Sequence, residues 1–193
     1  MFSKYTLNEK SNFGLIEVIC GSMFSGKTEE LIRRINSAKL AKFKTIVFKP
    51  RIDSRNEGDF IISHDNNKFE ATVVIDENEI LNTAKKYHVI GIDEAQFFSN
   101  SLVDVCNNLA NGGKRIIVAG LDMDFKGKPF GPMPNLMATA EFVSKLHGIC
   151  AKTGKMANYT HRKSKDKKLI KIGDDNEYEA VSRICFFNKK NGC

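Results

Sequence analysis

The chain has 193 residues, of which 41% are hydrophobic and 27% charged, and its formal net charge is +7. This is enough for one globular domain with a small appendage, and no apolar run approaches the about 18 residues of a membrane span. The polar N-terminus lacks the apolar centre of a signal peptide, so we expect a soluble, cytoplasmic protein that does not bind membranes. The positive charge suits anionic ligands such as nucleotides or nucleic acid, and it serves solubility equally well.

Short β-branched runs alternate with amphipathic stretches from residue 15 to residue 121. The predicted strands span 15–20, 45–50, 69–75, 88–93 and 114–121. The predicted helices span 28–43, 77–87 and 101–113. A polar, glycine-containing loop is expected at 51–67. Because strands and helices alternate, we predict an α/β fold in which helices flank both faces of a parallel sheet.

The pattern changes after Phe125, where the loop KGKPFGPMPN holds three of the four prolines. Beyond about residue 147 the chain is Lys-rich and irregular. We therefore predict a polar N-terminal tail (1–14), an α/β domain (15–146) and a small C-terminal subdomain with its tail (147–193). The five cysteines are scattered and odd in number, which does not suggest a disulfide framework.

The stretch ICGSMFSGKTEEL (19–31) carries Gly21, Gly26, Lys27 and Thr28 in the spacing G-x-x-x-x-G-K-[ST], between a predicted strand and a predicted helix. In this context the motif predicts a P-loop that binds ATP. Its glycines let backbone N–H groups point at the phosphates, and the helix N-terminus adds partial positive charge. Lys27 is expected to bridge the outer phosphates, and Thr28 to bind Mg²⁺. The other residues of the predicted phosphate cradle are Ser22, Met23, Phe24 and Ser25.

A second motif, VIGIDEAQFF, places two acidic residues after a buried strand. Asp93 and Glu94 follow four mostly apolar residues, which is typical of a Walker B sequence. Asp93 is expected to hold Mg²⁺, directly or through water. Glu94 would then face the reaction. It either orients water, as in an ATPase, or accepts a proton from a substrate hydroxyl, as in a kinase.

Aromatic residues beside Gly/Pro turns bear on this choice. Phe97 and Phe98 follow the acidic pair, while Phe125 and Phe130 flank the Gly/Pro loop after the predicted strand IIVAGL. That position is the carboxyl edge of the predicted sheet, where open α/β sheets bind ligands. Each phenylalanine alone suits a hydrophobic core, but together they predict a flat apolar slot for a nucleobase.

Five segments in this order and spacing, GSMFSGKT, RIDSR, IDEAQFF, GLDMDFKGKPFG and KIGDDNEY, resemble the type II (cellular-type) thymidine kinases. The resemblance runs from about residue 15 to residue 187. It implies a P-loop, RecA-like sheet with a small C-terminal "lasso" subdomain that resembles a zinc ribbon. It also implies transfer of the γ-phosphoryl group of ATP, with Mg²⁺, to the 5′-hydroxyl of thymidine or deoxyuridine.

The resemblance assigns further residues to the phosphates and to catalysis. Asp53, Ser54 and Arg55 match a segment near the phosphates, in which Arg55 stabilises transition-state charge. From the residues alone, Arg55 is better explained as a solvated loop arginine. Glu94 matches the general base that takes the 5′-hydroxyl proton. The segment shared by Mg²⁺, ATP and substrate comprises Asp93, Glu94, Ala95 and Gln96.

The resemblance also implies a nucleoside site. Its base pocket comprises Met23, Phe97, Leu121, Phe125 and Phe130. The lasso closes this pocket, where Arg162 matches a lasso arginine and Tyr178 packs over the nucleoside. The strand whose backbone reads the thymine edge is matched by Leu169, Ile170, Lys171, Ile172 and Gly173.

In that family a zinc ion held by two C-x-x-C pairs staples the base of the lasso. Here each pair keeps one cysteine, because Cys150 is followed by Thr153 and Cys185 is preceded by Ser182. Hydroxyls are poor zinc ligands, so a structural zinc is doubtful. A rearranged site would recruit the nearby histidines His147 and His161.

Two other function classes remain open. One is a P-loop ATPase or nucleic-acid-binding module that uses the +7 charge for phosphate contacts. The other is a degenerate kinase that only binds nucleotides. The aromatic slot argues against a motor, and the presence of Lys27, Asp93 and Glu94 argues against a degenerate kinase. We therefore expect a small-molecule nucleoside substrate and no nucleic-acid partner and, from the resemblance, a homotetramer.

Overall fold

The structure, a computed structural model, describes residues 14–53, 60–62, 68–164, 166, 168–171, 173 and 175–188. The predicted site residues Ser54, Arg55 and Ile172 lie outside the described residues, as does the predicted N-terminal tail up to residue 13. None of the helices in the described ranges is long and apolar enough to cross a bilayer.

The secondary structure follows the chain as short alternating elements. The strands are β1 (Leu15–Gly21), β2 (Thr45–Pro50), β3 (Phe60–Ile62), β4 (Lys68–Glu70), β5 (Thr72–Val74), β6 (Val89–Ile92), β7 (Arg115–Gly120), β8 (Phe142–Leu146), β9 (Gly148–Ile149), β10 (Met156–Ala157), β11 (Tyr159–Arg162) and β12 (Tyr178–Val181). The helices are α1 (Lys27–Leu40), α2 (Glu77–Thr83), α3 (Ser101–Asn111), α4 (Met133–Thr139) and α5 (Arg183–Phe187). Two 3-10 turns cover Ala84–Lys86 and Ala95–Phe97.

Six strands form one parallel sheet in the order β5-β2-β6-β7-β1-β8. β1 lies inside it, with Val18 opposite Val118 of β7 on one side and Val143 of β8 on the other. The carboxyl ends of parallel strands share one edge, so the loops that follow β1, β6 and β7 are neighbours there. The predicted α/β fold, a parallel sheet flanked by helices, is confirmed.

The sheet is buried on both faces. Successive side chains of a strand point to opposite sides, and each side contributes to a hydrophobic core. In β7, Ile116 and Val118 face one core, whereas Ile117 and Ala119 face the other. The first core is covered by α2, α3 and α4, and the second by α1 and the β3–β4 pair. Burial on both faces explains why the central strands read as continuous apolar runs.

A buried network of charges ties α1 to the sheet. Arg34 Nη1 donates to Glu17 Oε2 at 2.7 Å, and Arg34 Nη2 donates to Ser144 Oγ at 2.8 Å. Arg115 Nε donates to the other oxygen of Glu17 at 2.6 Å. Because each buried charge has an ionic partner, α1, β1, β7 and β8 are joined without an uncompensated charge.

Several elements differ from those predicted by the sequence. The loop expected at 51–67 contains the short strand β3. The edge strand β8 was not predicted, because its side chains are alternately exposed and half-buried and give a weak apolar signal. The predicted strand at 69–75 is two strands, since β4 pairs antiparallel with β3 while β5 pairs parallel with β2. Helix α4 begins directly after Pro132, inside the stretch read as a Gly/Pro loop.

The described residues after β8 form two small antiparallel pairs, β9 with β10 and β11 with β12, followed by α5. Tyr159, Ala180 and Cys150 are among the buried residues of a third core here, against which Phe24 and Met123 of the α/β part pack. This region therefore shares its core with the loop after β1. The division of the chain after residue 146 stays a prediction.

Candidate active site

The loop between β1 and α1 has the backbone that its glycines allow. Gly21 has φ 147° and Gly26 has φ 80°, both in the region that favours glycine. A side chain at Gly21 would also collide with β8, since a Cβ there would lie 2.3 Å from the Leu146 carbonyl oxygen. Helix α1 begins at Lys27, so its first N–H groups open into this loop, as an anion site requires.

Polar groups of the same loop are turned inward. Lys27 Nζ donates to the Ser22 carbonyl oxygen at 2.7 Å, and Ser25 Oγ donates to the same oxygen at 2.8 Å. Among the residues that the structure describes, the buried Ser22 hydroxyl has no hydrogen-bond partner. A buried hydroxyl of this kind is costly unless a ligand or water meets it, which fits a loop shaped to bind phosphate.

The residues expected to hold Mg²⁺ are in contact. Thr28 Oγ1 donates to Asp93 Oδ2 at 3.1 Å, and Asp93 is buried at the end of β6. A threonine hydroxyl and an aspartate carboxylate are oxygen donors of the type that Mg²⁺ prefers, so the two side chains fit the ion. The Glu94 N–H donates to Asp93 Oδ1 at 3.0 Å, which fixes the turn between the two acidic residues.

Glu94 stands in an unusual backbone conformation. Its φ is 52° and its ψ is 40°, a left-handed geometry that costs a non-glycine residue about 1–3 kcal/mol. The turn directs Glu94 into the cavity, whereas its neighbours Ala95 and Gln96 are buried behind it. Such strain is typical of functional sites, where surrounding contacts hold it in place.

One cavity of about 410 Å³ joins the P-loop to the aromatic slot. The predicted residues that line it are Met23, Phe24, Ser25, Gly26, Lys27, Thr28, Glu94, Phe97, Leu121, Phe125, Phe130, Arg162, Leu169, Ile170, Lys171, Gly173 and Tyr178. Six residues that were predicted for the nucleotide site and that the structure describes do not line the cavity: Gly21, Ser22, Asp53, Asp93, Ala95 and Gln96. A volume of this size is within the usual range for small-molecule sites.

The aromatic part of the cavity is held from behind by its own loop. Phe97 meets Phe130 edge to face, with ring centroids 6.0 Å apart. Asp124 Oδ1 accepts hydrogen bonds from the N–H groups of Lys126 and Lys128, which closes the turn that carries Phe125. The slot is therefore built before any ligand enters.

Arg162 and Tyr178 organise residues 168–171, which border the cavity and are called the closing segment below. Arg162 lies 3.7 Å from the centroid of Phe125, and its guanidinium donates to Tyr178 Oη and to the carbonyl oxygens of Asp166, Lys168 and Leu169. Tyr178 Oη donates in turn to the Lys171 carbonyl oxygen at 2.7 Å. The described residues Leu169–Lys171 are not in a strand, contrary to the expectation. Side chains hold this backbone where ladder hydrogen bonds were expected.

Four lining residues were not predicted from the sequence: Glu29, Met123, Asp124 and Thr160. Thr160 is the most consequential, because its Oγ1 accepts the Met23 N–H at 3.0 Å and so joins the P-loop to β11. A single threonine in an ordinary β-pattern carries no motif. The segment DMDF, by contrast, lies inside a stretch that the sequence singled out, so Met123 and Asp124 were within reach.

Two thiols meet at the base of this closing segment. Cys150 Sγ lies 3.9 Å from Cys185 Sγ. Burial alone would raise the pKa of the Cys150 thiol, but hydrogen bonds from the Thr153 hydroxyl and from backbone groups of Ser182, Lys152 and Thr153 lower it to about 6. The Cys106 thiol is shifted in the opposite direction, because burial raises its pKa to about 12.

These residues do not fit a tetrahedral zinc. The Ser182 hydroxyl caps α5 by accepting the Cys185 N–H, and Thr153 bonds to Cys150, so neither hydroxyl is a strong zinc donor. His161 Nδ1 lies 3.0 Å from Glu179, and His147 is exposed. Across the described ranges, no group of three His, Cys, Asp or Glu side chains is placed to hold a metal.

Comparison with known proteins identifies the family. The family model described as "Thymidine kinase" matches residues 14–186. A thymidine kinase of Bacteroides fragilis (strain YCH46) is 52% identical over 187 residues, covering 96% of this chain and 94% of that protein. A thymidine kinase of Rhodothermus sp. (strain ITI 518) is 51% identical over 180 residues, covering 93% of this chain and 84% of that protein.

Among solved structures, AMPPCP-bound DnaA from Aquifex aeolicus is 20% identical, with a TM-score of 0.42 over 70% of this chain and 41% of that chain, a similarity too low to support an inference. The family match and the two relatives are stronger evidence. The match covers residues 14–186, and the relatives are about 50% identical to this chain over nearly its whole length. The chain therefore belongs to the thymidine kinase family and is a kinase, that is, a phosphotransferase.

Proposed function

We propose that this kinase transfers the γ-phosphoryl group of ATP to the 5′-hydroxyl of thymidine, and of deoxyuridine, to give the nucleoside monophosphate and ADP. The observation that carries the proposal is one cavity that is lined by the P-loop, by Glu94 and by the aromatic slot. A phosphoryl donor and a flat, apolar acceptor can be placed side by side in it. The product would supply nucleotide salvage for DNA synthesis.

The P-loop end of the cavity would bind ATP. Backbone N–H groups of the loop and of the first turn of α1 point at the phosphates, and Lys27 exchanges its bond to the Ser22 carbonyl for the outer phosphates. Thr28 and Asp93 would hold Mg²⁺, which neutralises charge on the phosphates when bound. The matched segment Asp53–Arg55 would add a transition-state contact through Arg55.

Glu94 would act as the general base, because it lines the cavity between the P-loop and the slot. The nucleobase would lie against Phe97, Phe125 and Phe130. Carbonyl and N–H groups of 169–171 would read its edge, because Arg162 and Tyr178 fix that backbone. Backbone readout of one base edge excludes bases of different outline, so purines should be rejected.

The alternative, a P-loop ATPase or nucleic-acid-binding module, leaves this slot unexplained. A nucleic-acid channel needs an open basic groove, whereas here the Phe125 ring is covered by the Arg162 guanidinium. From the resemblance alone we also propose that the protein acts as a cytoplasmic homotetramer. Light scattering coupled to gel filtration would measure the assembly directly.

The test is an assay of ATP-dependent phosphorylation across the natural nucleosides, made with the wild-type protein and with Glu94→Gln. We expect thymidine and deoxyuridine to be turned over and purine deoxynucleosides to be poor substrates. A general base contributes about 100- to 10,000-fold, so kcat of Glu94→Gln should fall by that factor while ATP binding stays near normal. Equal turnover of purines, or a wild-type kcat for the variant, would contradict the proposal.

A further inference from the structure

Gln96 lies one layer behind the cavity and is 2% exposed. It does not line the cavity, so its side chain is set back from the space that a substrate would fill. Its amide group nevertheless connects two parts of the site. The Nε2 atom donates to Glu94 Oε2 at 2.5 Å, and the Oε1 atom accepts the Leu121 N–H at 2.9 Å.

The backbone fixes which way this amide points. Because the Leu121 N–H can only donate, the amide atom that faces it must be the oxygen. The amino group is then left on the Glu94 side, where it can only donate. Gln96 therefore presents a hydrogen-bond donor to the Glu94 carboxylate and cannot reverse that arrangement without leaving the Leu121 N–H unsatisfied.

Two glycines leave the room that Gln96 needs. A Cβ at Gly120 would lie 2.9 Å from Gln96 Oε1, and a Cβ at Gly131 would lie 2.3 Å from the Gln96 carbonyl oxygen. Gln96 is thus held between the end of β7 and the turn after Phe130. A residue whose side chain and backbone are both closely packed can position its neighbour precisely enough for catalysis.

We propose that Gln96 is a positioning residue that holds the Glu94 carboxylate in its reactive place. Glu94 occupies a left-handed backbone conformation, a strained geometry that surrounding contacts such as this hydrogen bond help to hold. The inference rests on the proposed function of Glu94 as general base and adds the residue through which the fold controls it.

The variant Gln96→Glu isolates the contact. It keeps the size of the side chain and an acceptor for the Leu121 N–H, but it replaces the donor to Glu94 by a second carboxylate. We expect kcat for thymidine to fall about 10- to 100-fold, as for a lost catalytic contact. The KM values for thymidine and ATP should stay within about threefold, because no substrate contact is removed.

Gln96→Met is the second variant, and it guards against a misfolded Gln96→Glu protein. It fills the same space without either hydrogen bond, so kcat should again fall more than KM changes. Glu77→Gln is the matched control. Glu77 accepts the Ser99 N–H at the other end of the same loop, and this change should leave kcat unaltered.

A double-mutant cycle separates positioning from structural support. If Gln96 acts through Glu94, Gln96→Glu should cost no further activity in a Glu94→Gln background. Losses that multiply in the double variant would overturn the proposal, as would a wild-type kcat for a folded Gln96→Glu protein when Glu94→Gln itself is impaired. A wild-type kcat for Glu94→Gln would instead overturn the proposed base, so the two failures are distinguishable.

Discussion

Lys27 is a cation that the loop itself holds in place. Its Nζ donates to the Ser22 carbonyl oxygen at 2.7 Å, at the wall of the cavity. The ammonium group is thereby directed across the loop, where outer phosphates would lie. The position of this side chain was predictable, because the motif fixes it relative to a helix N-terminus.

Lys27→Ala should weaken MgATP binding and phosphoryl transfer together. Hydrogen bonds to charged groups contribute about 1.5–3 kcal/mol, so we expect a loss of about 10- to 150-fold in ATP affinity. Calorimetric titration with a non-hydrolysable ATP analogue measures it. Lys39→Ala on the same helix, where the side chain is exposed, is the control and should bind normally. Unchanged ATP binding by Lys27→Ala would exclude the P-loop assignment.

The contacts of Arg162 depend on the planar shape of its guanidinium group more than on its charge. It donates to Tyr178 and to three carbonyl oxygens, and it stacks on Phe125. Lysine has one charged nitrogen and no planar face, so it cannot reproduce this set of contacts. The role is one of organising the closing segment, which the sequence could not distinguish from direct contact with a substrate.

Arg162→Lys should lose several of these contacts, and each loss of about 1.4 kcal/mol weakens binding tenfold. We therefore expect the KM for thymidine to rise about 10- to 100-fold and the KM for ATP to stay within about threefold. Steady-state kinetics with each substrate varied in turn gives both values. Arg183→Lys is the matched control, since Arg183 also lies over an aromatic ring, 5.1 Å from the centroid of Tyr159, but outside the cavity. Equal effects on both KM values would argue for general misfolding.

Among the helices and strands, those that could be predicted are the ones whose burial is evident from their apolar residues. The strands β1, β6 and β7 are apolar on both faces, and each ends at a motif residue or its neighbour. Edge elements give no such signal. β8 is half-exposed along its length, and β4 and β5 differ only in which neighbour they pair with. Pairing partners are chosen by tertiary contacts that a local pattern does not contain.

The closing segment shows the same limit. Leu169–Lys171 was expected as a strand, yet its carbonyl oxygens are bound by Arg162 and Tyr178. The aromatic slot could be predicted because its rings flank Gly/Pro turns. The contact between Thr160 and the Met23 N–H could not, because it joins positions 137 residues apart with no shared motif.

The elements after β8 also yield a prediction about metal. With two thiols and two engaged hydroxyls, we expect protein purified without chelators to contain far less than one zinc per chain. Elemental analysis measures this directly. A structural zinc contributes about 10–16 kcal/mol, so its removal by a chelator would lower the melting temperature strongly. Because we expect no structural zinc here, a chelator should leave the melting temperature unchanged. About one zinc per chain, lost on Cys150→Ser, would show that other ligands complete the site.

At the scale of the whole molecule, the C-terminal helix supports the base slot from outside. Phe186 of α5 stacks on Tyr159 with ring centroids 4.5 Å apart, and a Cβ at Gly127 would lie 3.0 Å from the Phe186 ring. Gly127 belongs to the turn that carries Phe125. The last described helix is therefore part of the scaffold of the site, although it begins more than fifty positions after Gly127.

The hydrogen bond from the Met23 N–H to Thr160 Oγ1 joins the phosphate loop to the strand that leads into the closing segment. Phe24 reinforces the joint by packing into the core of that region. A ligand that shifts one side of such a joint shifts the other. By thermodynamic linkage, the factor by which nucleoside changes the affinity for nucleotide must equal the factor by which nucleotide changes the affinity for nucleoside. We therefore expect bound thymidine to change the affinity for ATP by way of this contact, and titration of ATP with and without thymidine would measure the size of the change.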